Sequence, residues 1–508
     1  MKVSAPWIAL LVLSLPLSAT AEKPKPQIPV IGETIDVRVV NVEAVVTATS
    51  GRRVPGLATA DFRLLVDGKE VPIEYFAEIS EGKSVQADKA PVAAGEEVGR
   101  NYLIYVDDAF SLANRRNDVL EKLERDLTLL GPADRMAILA FDGARVSVLC
   151  GWTGDQKVLR EALGNARQRP ALGAEMLAHQ RKLQVDVDWL LDNADSIETG
   201  DSATRVGGPK VSEMEEIFKY TSKRISGEAR TQLGKTTDAA TAAMRGFETP
   251  NGRKVMLLLS GAWSLSVAPR LYGPVVQAAN QLGYTVYPVD ASQSDAYEAT
   301  ALDTLARATG GRLLIPADNA VFREAVADSG TYYWLGFTPA WKANDRGNRV
   351  TVEVRKPGLA VRSRSGFADL SHQTEAAMKA ESVLLFGGAT DDRRLIVQLG
   401  EPKRDGGAFE VPVTLGVPVE ALALTPKGKG YLAVVPLAVS TEEADGRRAN
   451  LSGPQLKVQI AALPQAGTYA RFQTVVRLRD PKQRLIFSVH DPVSGHALWG
   501  QAQLAAGK

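Results

Sequence analysis

The feature that most constrains this chain is the alternation of continuous apolar runs with amphipathic stretches between residues 101 and 330. Tyr102–Val106 and Val255–Leu259 are apolar along their whole length, and Arg135–Phe141 and Tyr284–Val289 are apolar apart from Arg135 and Thr285. A strand reads this way only when both faces are buried. The stretches 114–130, 236–247, 274–282, 300–309 and 320–327 carry helical spacing. Strands alternating with helices predict an α/β domain over residues 99–330, built on a doubly wound, mostly parallel sheet. The alternation stops between Gln168 and Leu233, so residues 168–233 are expected to form a helical insertion. Insertions of this size sit at the rim of such a sheet and carry recognition or a lid.

The flanks have another pattern. Val37–Val46, Phe62–Val66 and Val71–Phe76 show β alternation, and Asp67-Gly68 is a hairpin turn. Residues 36–80 therefore form an N-terminal β module, and residues 81–98, small and polar, are expected to be a linker. Strand patterns return over residues 331–370, which should complete the N-terminal β-sandwich from the far side of the α/β domain. Residues 380–508 carry short strands divided by Gly, Pro and Asp turns, the spacing of an immunoglobulin-like β domain.

The amino terminus fixes an expected address. Lys2, the apolar run Trp7–Leu17 and Ala19-Thr20-Ala21 have the form of a signal peptide over residues 1–21, followed by a Pro- and Lys-rich linker over 22–35. The expectation is an exported protein, periplasmic or secreted, without a stable membrane span after cleavage. Sixty basic residues against 59 acidic give a net charge of +1, which leaves no electrostatic footprint for nucleic acid. The single cysteine, Cys150, excludes an internal disulfide and reads as a buried strand thiol.

Ligands of open parallel sheets bind at the carboxyl ends of the strands. Asp107-Asp108-Ala109-Phe110-Ser111 follows the first strand, Ser260-Gly261 the Val255–Leu259 strand, and Asp290 the next. Gly234-Lys235-Thr236 ends a stretch that superficially suggests a phosphate loop, but the glycine spacing is too long and no apolar strand precedes it. The four histidines, His179, His372, His490 and His496, are scattered, so neither a zinc site nor a Ser-His-Asp hydrolase finds support.

The order of these motifs resembles a von Willebrand factor type A (VWA) domain. To about Phe367 the chain is similar to the VWA-related family of exported, acidobacterial-type proteins. The carrying stretches are Asp61-Phe62, Val66-Asp67-Gly68-Lys69, Asp107-Asp108, Tyr287-Pro288-Val289-Asp290, Ala308-Thr309-Gly310-Gly311-Arg312, Tyr332–Pro339 and Val361–Phe367. The resemblance implies binding rather than catalysis, with another protein as partner. It also implies a degenerate metal-ion-dependent adhesion site. Many such domains hold Mg²⁺ through Asp-x-Ser-x-Ser, a threonine and a later aspartate. This chain has Asp107-x-Ala109-x-Ser111, Thr237 (or Thr236), and Gly261 in place of the last. Asp107, Ser111 and Thr237 are thus the candidate metal ligands. The expectation is a non-catalytic envelope binding and assembly module, with a Mg²⁺-dependent adhesion module gripping an acidic ligand as the alternative. An envelope hydrolase is a third reading, for which the sequence shows no catalytic dyad.

Overall fold

The computed structural model describes residues 39–175, 227, 230–245, 250, 252–261, 272–291, 299–316, 321–371, 374, 377–378, and 395–503 apart from 429, 444–447, 481, 492 and 494–496. The expected signal peptide, the expected 22–35 linker, most of the expected 168–233 insertion, and His179, His372 and His496 lie outside them.

Four strands place their edges side by side in parallel: β10 (Tyr284–Asp290), β9 (Arg253–Ser260), β6 (Arg100–Asp107) and β7 (Arg135–Phe141). Their residues alternate between two cores. Leu103, Tyr105, Leu139, Met256 and Leu258 face a helix over 230–245, α4 (Gly273–Leu282) and α5 (Ala299–Ala308). Tyr102, Ile104, Val106, Ile138 and Leu257 face α1 (Ala113–Arg125), α2 (Gln156–Gln168) and α6 (Val321–Gly330). Burial on both faces explains the unbroken apolar runs. We call the 230–245 helix α3.

The fifth strand, β8 (Val146–Thr153), pairs with β7 antiparallel. Only residues 142–145 join the two, too few for a parallel crossover. The expected doubly wound, mostly parallel α/β fold class is therefore corrected. Among the described residues strand accounts for 47% and helix for 25%, so they are predominantly β with several antiparallel sheets. Parallel strand pairing among the described residues is confined to four strands of this one mixed sheet.

Both flanks contribute to two antiparallel sheets. One has the order β13 (Leu359–Arg362), β1 (Val40–Ala48), β11 (Tyr332–Phe337), β4 (Tyr75–Ser80), β5 (Lys83–Asp88). The other has β14 (Gly366–Asp369), β12 (Arg346–Val354), β2 (Phe62–Val66), β3 (Lys69–Val71). Phe62, Phe76, Tyr333, Leu335 and Val352 fill the core between them. The 81–98 stretch, expected as a linker, contains β5. Only Ser84 of β5 is buried, so no hydrophobic period betrays it.

The carboxyl-terminal region, residues 395–503, holds two further antiparallel sheets. β17 (Ala408–Pro418) pairs with β15 (Ile396–Leu399), β16 (Lys403–Asp405) and β21 (Tyr469–Leu478). β19 (Gly430–Glu442) pairs with β18 (Thr425–Lys427), β20 (Arg448–Ile460) and β22 (Arg484–His490), and β22 with β23 (Ala497–Gln503). Val411, Leu415, Val435, Leu485 and Phe487 are buried in their common core. No helix among the described residues is long and apolar enough to cross a membrane.

Candidate functional site: the carboxyl rim of the mixed sheet

Three parallel strands end together and their following loops are stitched to one another. The Ala291 amide donates to Ser260 O at 2.8 Å, and the Leu112 amide donates to Ala291 O at 3.0 Å. Asp107 closes the group from below, accepting from Ser260 Oγ at 2.6 Å and from the Ala109 amide at 3.2 Å.

Asp107 and its neighbour Asp108 are both fully buried, and strand alternation sends them apart. Asp107 continues the Leu103–Tyr105 face, toward α3. Burial pushes its carboxyl up to about 7, against the hydrogen bonds from Ser260 and the Ala109 and Phe110 amides, and Asp108 pushes the same way. Asp108 continues the opposite face, toward α1 and α2. It accepts from Arg116 Nη1 at 2.5 Å and from Arg169 Nε at 2.7 Å. Arg116 also donates to the Arg169 carbonyl at 2.8 Å, which fastens the end of α2 to α1. This clamp escaped the sequence analysis. Its partners lie 8 and 61 residues from Asp108, and only the arginine on α1 carries even a weak local signal.

The candidate ligands can be tested for Mg²⁺. Ser111 is buried, and its Oγ lies 3.5 Å from Leu259 O. Thr237 Oγ1 donates to Gly234 O at 2.9 Å, within its own helix. Thr236 is buried, and its hydroxyl has no protein partner. Asp107 and Ser111 share a loop, and Thr237 stands on the helix that covers their face, but Asp107 is bonded to Ser260 rather than to a threonine. Mg²⁺ requires about six oxygens in near-octahedral array and an ionised carboxylate. Burial raises both rim carboxyls, and the second, Asp108, is already held by two guanidiniums. The residues present do not fit that ion.

The remaining sequence candidates are structural. Asp290 ends β10, where its amide donates to Leu314 O at 3.3 Å. Cys150 is buried, and burial pushes its thiol up to about 11. Gly234, Lys235 and Thr236 lie within α3 rather than in a loop. His490 is buried in β22.

The rim also anchors both ends of the segment that interrupts the α/β alternation. The Leu172 amide donates to Asp108 O at 2.7 Å, and the Gly173 amide donates to Ser111 O at 3.1 Å. The approach at Gly173 is so close that a Cβ there would stand 2.4 Å from Ser111 O. On the return, Gln232 Nε2 reaches Gly143 O at 3.5 Å, and Leu233 packs in the same core as Ala109 and Phe110.

No family model matches the chain, and no curated protein matches it. Two solved structures are similar in part. One is the Northeast Structural Genomics Consortium target SoR45, at 10% identity and TM-score 0.15, over 23% of this chain and 85% of that one. The other is the pilus adhesin SpaC from Lactobacillus rhamnosus GG, at 8% identity and TM-score 0.25, over 87% of this chain and 60% of the adhesin. This chain thus matches less than two thirds of the adhesin's length, and similarity at these scores carries no argument.

Proposed function

We propose that this protein is an exported, non-catalytic binding module of the cell envelope. It recognises another protein through the carboxyl rim of the mixed sheet and the segment mounted there. The observation that carries the proposal is the double anchorage of that segment. Residues 172–173 and 232–233 fix its two ends to the loops after β6 and β7, the edge at which sheets with parallel strands engage their ligands. The rim carboxyl with a pKa near 7, Asp107, is fully buried and satisfied by Ser260 and two amides, which supports a binding reading.

The test is to replace residues 176–226 by a short Gly/Ser linker, leaving both anchors in place, and to compare partners recovered from envelope extracts. The proposal expects an unchanged melting temperature, loss of a discrete partner, and no effect of a chelator on the parent protein's recovery of it. Identical recovery by both proteins would overturn it.

A further inference from the structure

The amino end of the mixed sheet gathers buried cations. Four arginines are nearly or fully buried among the described residues at this sheet's boundary. Arg100 is paired with Asp134 at 2.5 Å and Arg116 with Asp108 at 2.5 Å. Among the described residues Arg253 and Arg364, 3% and 7% exposed, form no ion pair, and only the longer-range charge of Glu43 acts on both. Arg253 donates to Ser329 O at 3.0 Å and lies 4.2 Å over the Tyr332 ring, with its Nε–H unpartnered. Arg364 donates to Asn280 O at 2.7 Å and to Asn41 O, and its Nε–H is likewise unpartnered. Buried charges are ordinarily paired, because an uncompensated one bears the full cost of leaving water.

Both arginines line one cleft of about 330 Å³, between β1 and β11 on one side and the amino ends of β9 and β10 on the other. Lys254 adds a third cation, and Glu43 is the one carboxylate of the lining. Tyr332, Trp334, Trp341 and Phe367 give the rest of the wall an aromatic part, and the Trp334 Nε1–H is buried without an acceptor. Three unanswered N–H donors, a surplus of two positive charges and an indole wall define one ligand chemistry. We propose that this cleft binds a small organic carboxylate with a flat apolar body, the carboxylate answering the surplus positive charge of Arg253, Lys254 and Arg364 and the body lying on the tryptophans. Its volume is at the small end of ligand pockets, about 300–1,000 Å³. The site is separate from the carboxyl rim and does not depend on the partner proposed there.

Calorimetry on the full chain tests this with indole-3-acetate against its neutral isostere, indole-3-acetamide. The acid should saturate one site, with the amide about tenfold weaker or more. Lys254→Met should weaken the acid about tenfold and leave the amide unchanged, whereas Glu43→Gln should tighten the acid. Both substitutions sit on half-buried positions and spare the two buried arginines. Equal affinity for acid and amide, indifference to both substitutions, or no saturation by the acid below about 10 mM would overturn the proposal.

Discussion

At the residue scale the decisive comparison is between two adjacent aspartates. Asp107 titrates near 7 when folded, against about 3.9 for an unperturbed aspartate. Between those values the folded protein holds a proton that the unfolded chain has released. Its contribution is therefore full below about pH 4 and is lost as pH rises through about 7. Asp107→Asn, which cannot ionise, should raise stability at pH 8 by on the order of 2 kcal/mol and change it little at pH 4. Urea unfolding at the two pH values measures the difference, and parallel behaviour of the two proteins would refute this account of Asp107. Burial pushes the Asp108 carboxyl up as well, but two guanidiniums answer its charge. Arg116→Met should cost about 3–5 kcal/mol by leaving a buried carboxylate with half its partners. The double variant Arg116→Met with Asp108→Asn should recover much of that loss, and a double-mutant cycle by urea unfolding reads the coupling.

At the element scale, the legible parts were those whose burial writes a period into the sequence. Strands β6, β9 and β10, buried on both faces, showed as apolar runs, and β1, β2 and β11 as short β segments, while the expected Val71–Phe76 strand straddles the end of β3 and the start of β4. Three features left no such mark. β8 carried a strand pattern, but its direction depends on the brevity of residues 142–145 rather than on its own residues. β5 buries one serine. The Asp108–Arg116–Arg169 clamp joins residues from three elements. The candidate ligands Asp107 and Ser111 were legible as loop positions after β6, but not the bond from Ser260 that occupies the carboxyl. Gly173 is an element-scale hinge pin: a methyl group there would meet the Ser111 carbonyl at 2.4 Å. Gly173→Ala should push the 172–173 anchor off the loop, lower the melting temperature by several degrees (about 1–3 kcal/mol), and speed amide exchange at Leu172. Unchanged exchange would show that the anchor is not formed.

At the scale of the whole molecule, the two ends of the mixed sheet carry different chemistry. The carboxyl end is stitched shut around a buried acid and mounts a long segment, and the amino end keeps a cationic, aromatic cleft. The export proposal predicts a mature chain beginning at Glu22, which amino-terminal sequencing of the fractionated protein checks directly. A retained Met1 would remove the envelope from the account. The central claim, that recognition belongs to the rim and its segment, is tested most directly by photo-crosslinking in intact cells. Photoreactive residues placed singly along 176–226 would be compared with one at Val475, an exposed position on β21. The account predicts a discrete adduct with another protein from the rim segment and none from position 475. Adducts from position 475 alone, or from neither, would contradict it.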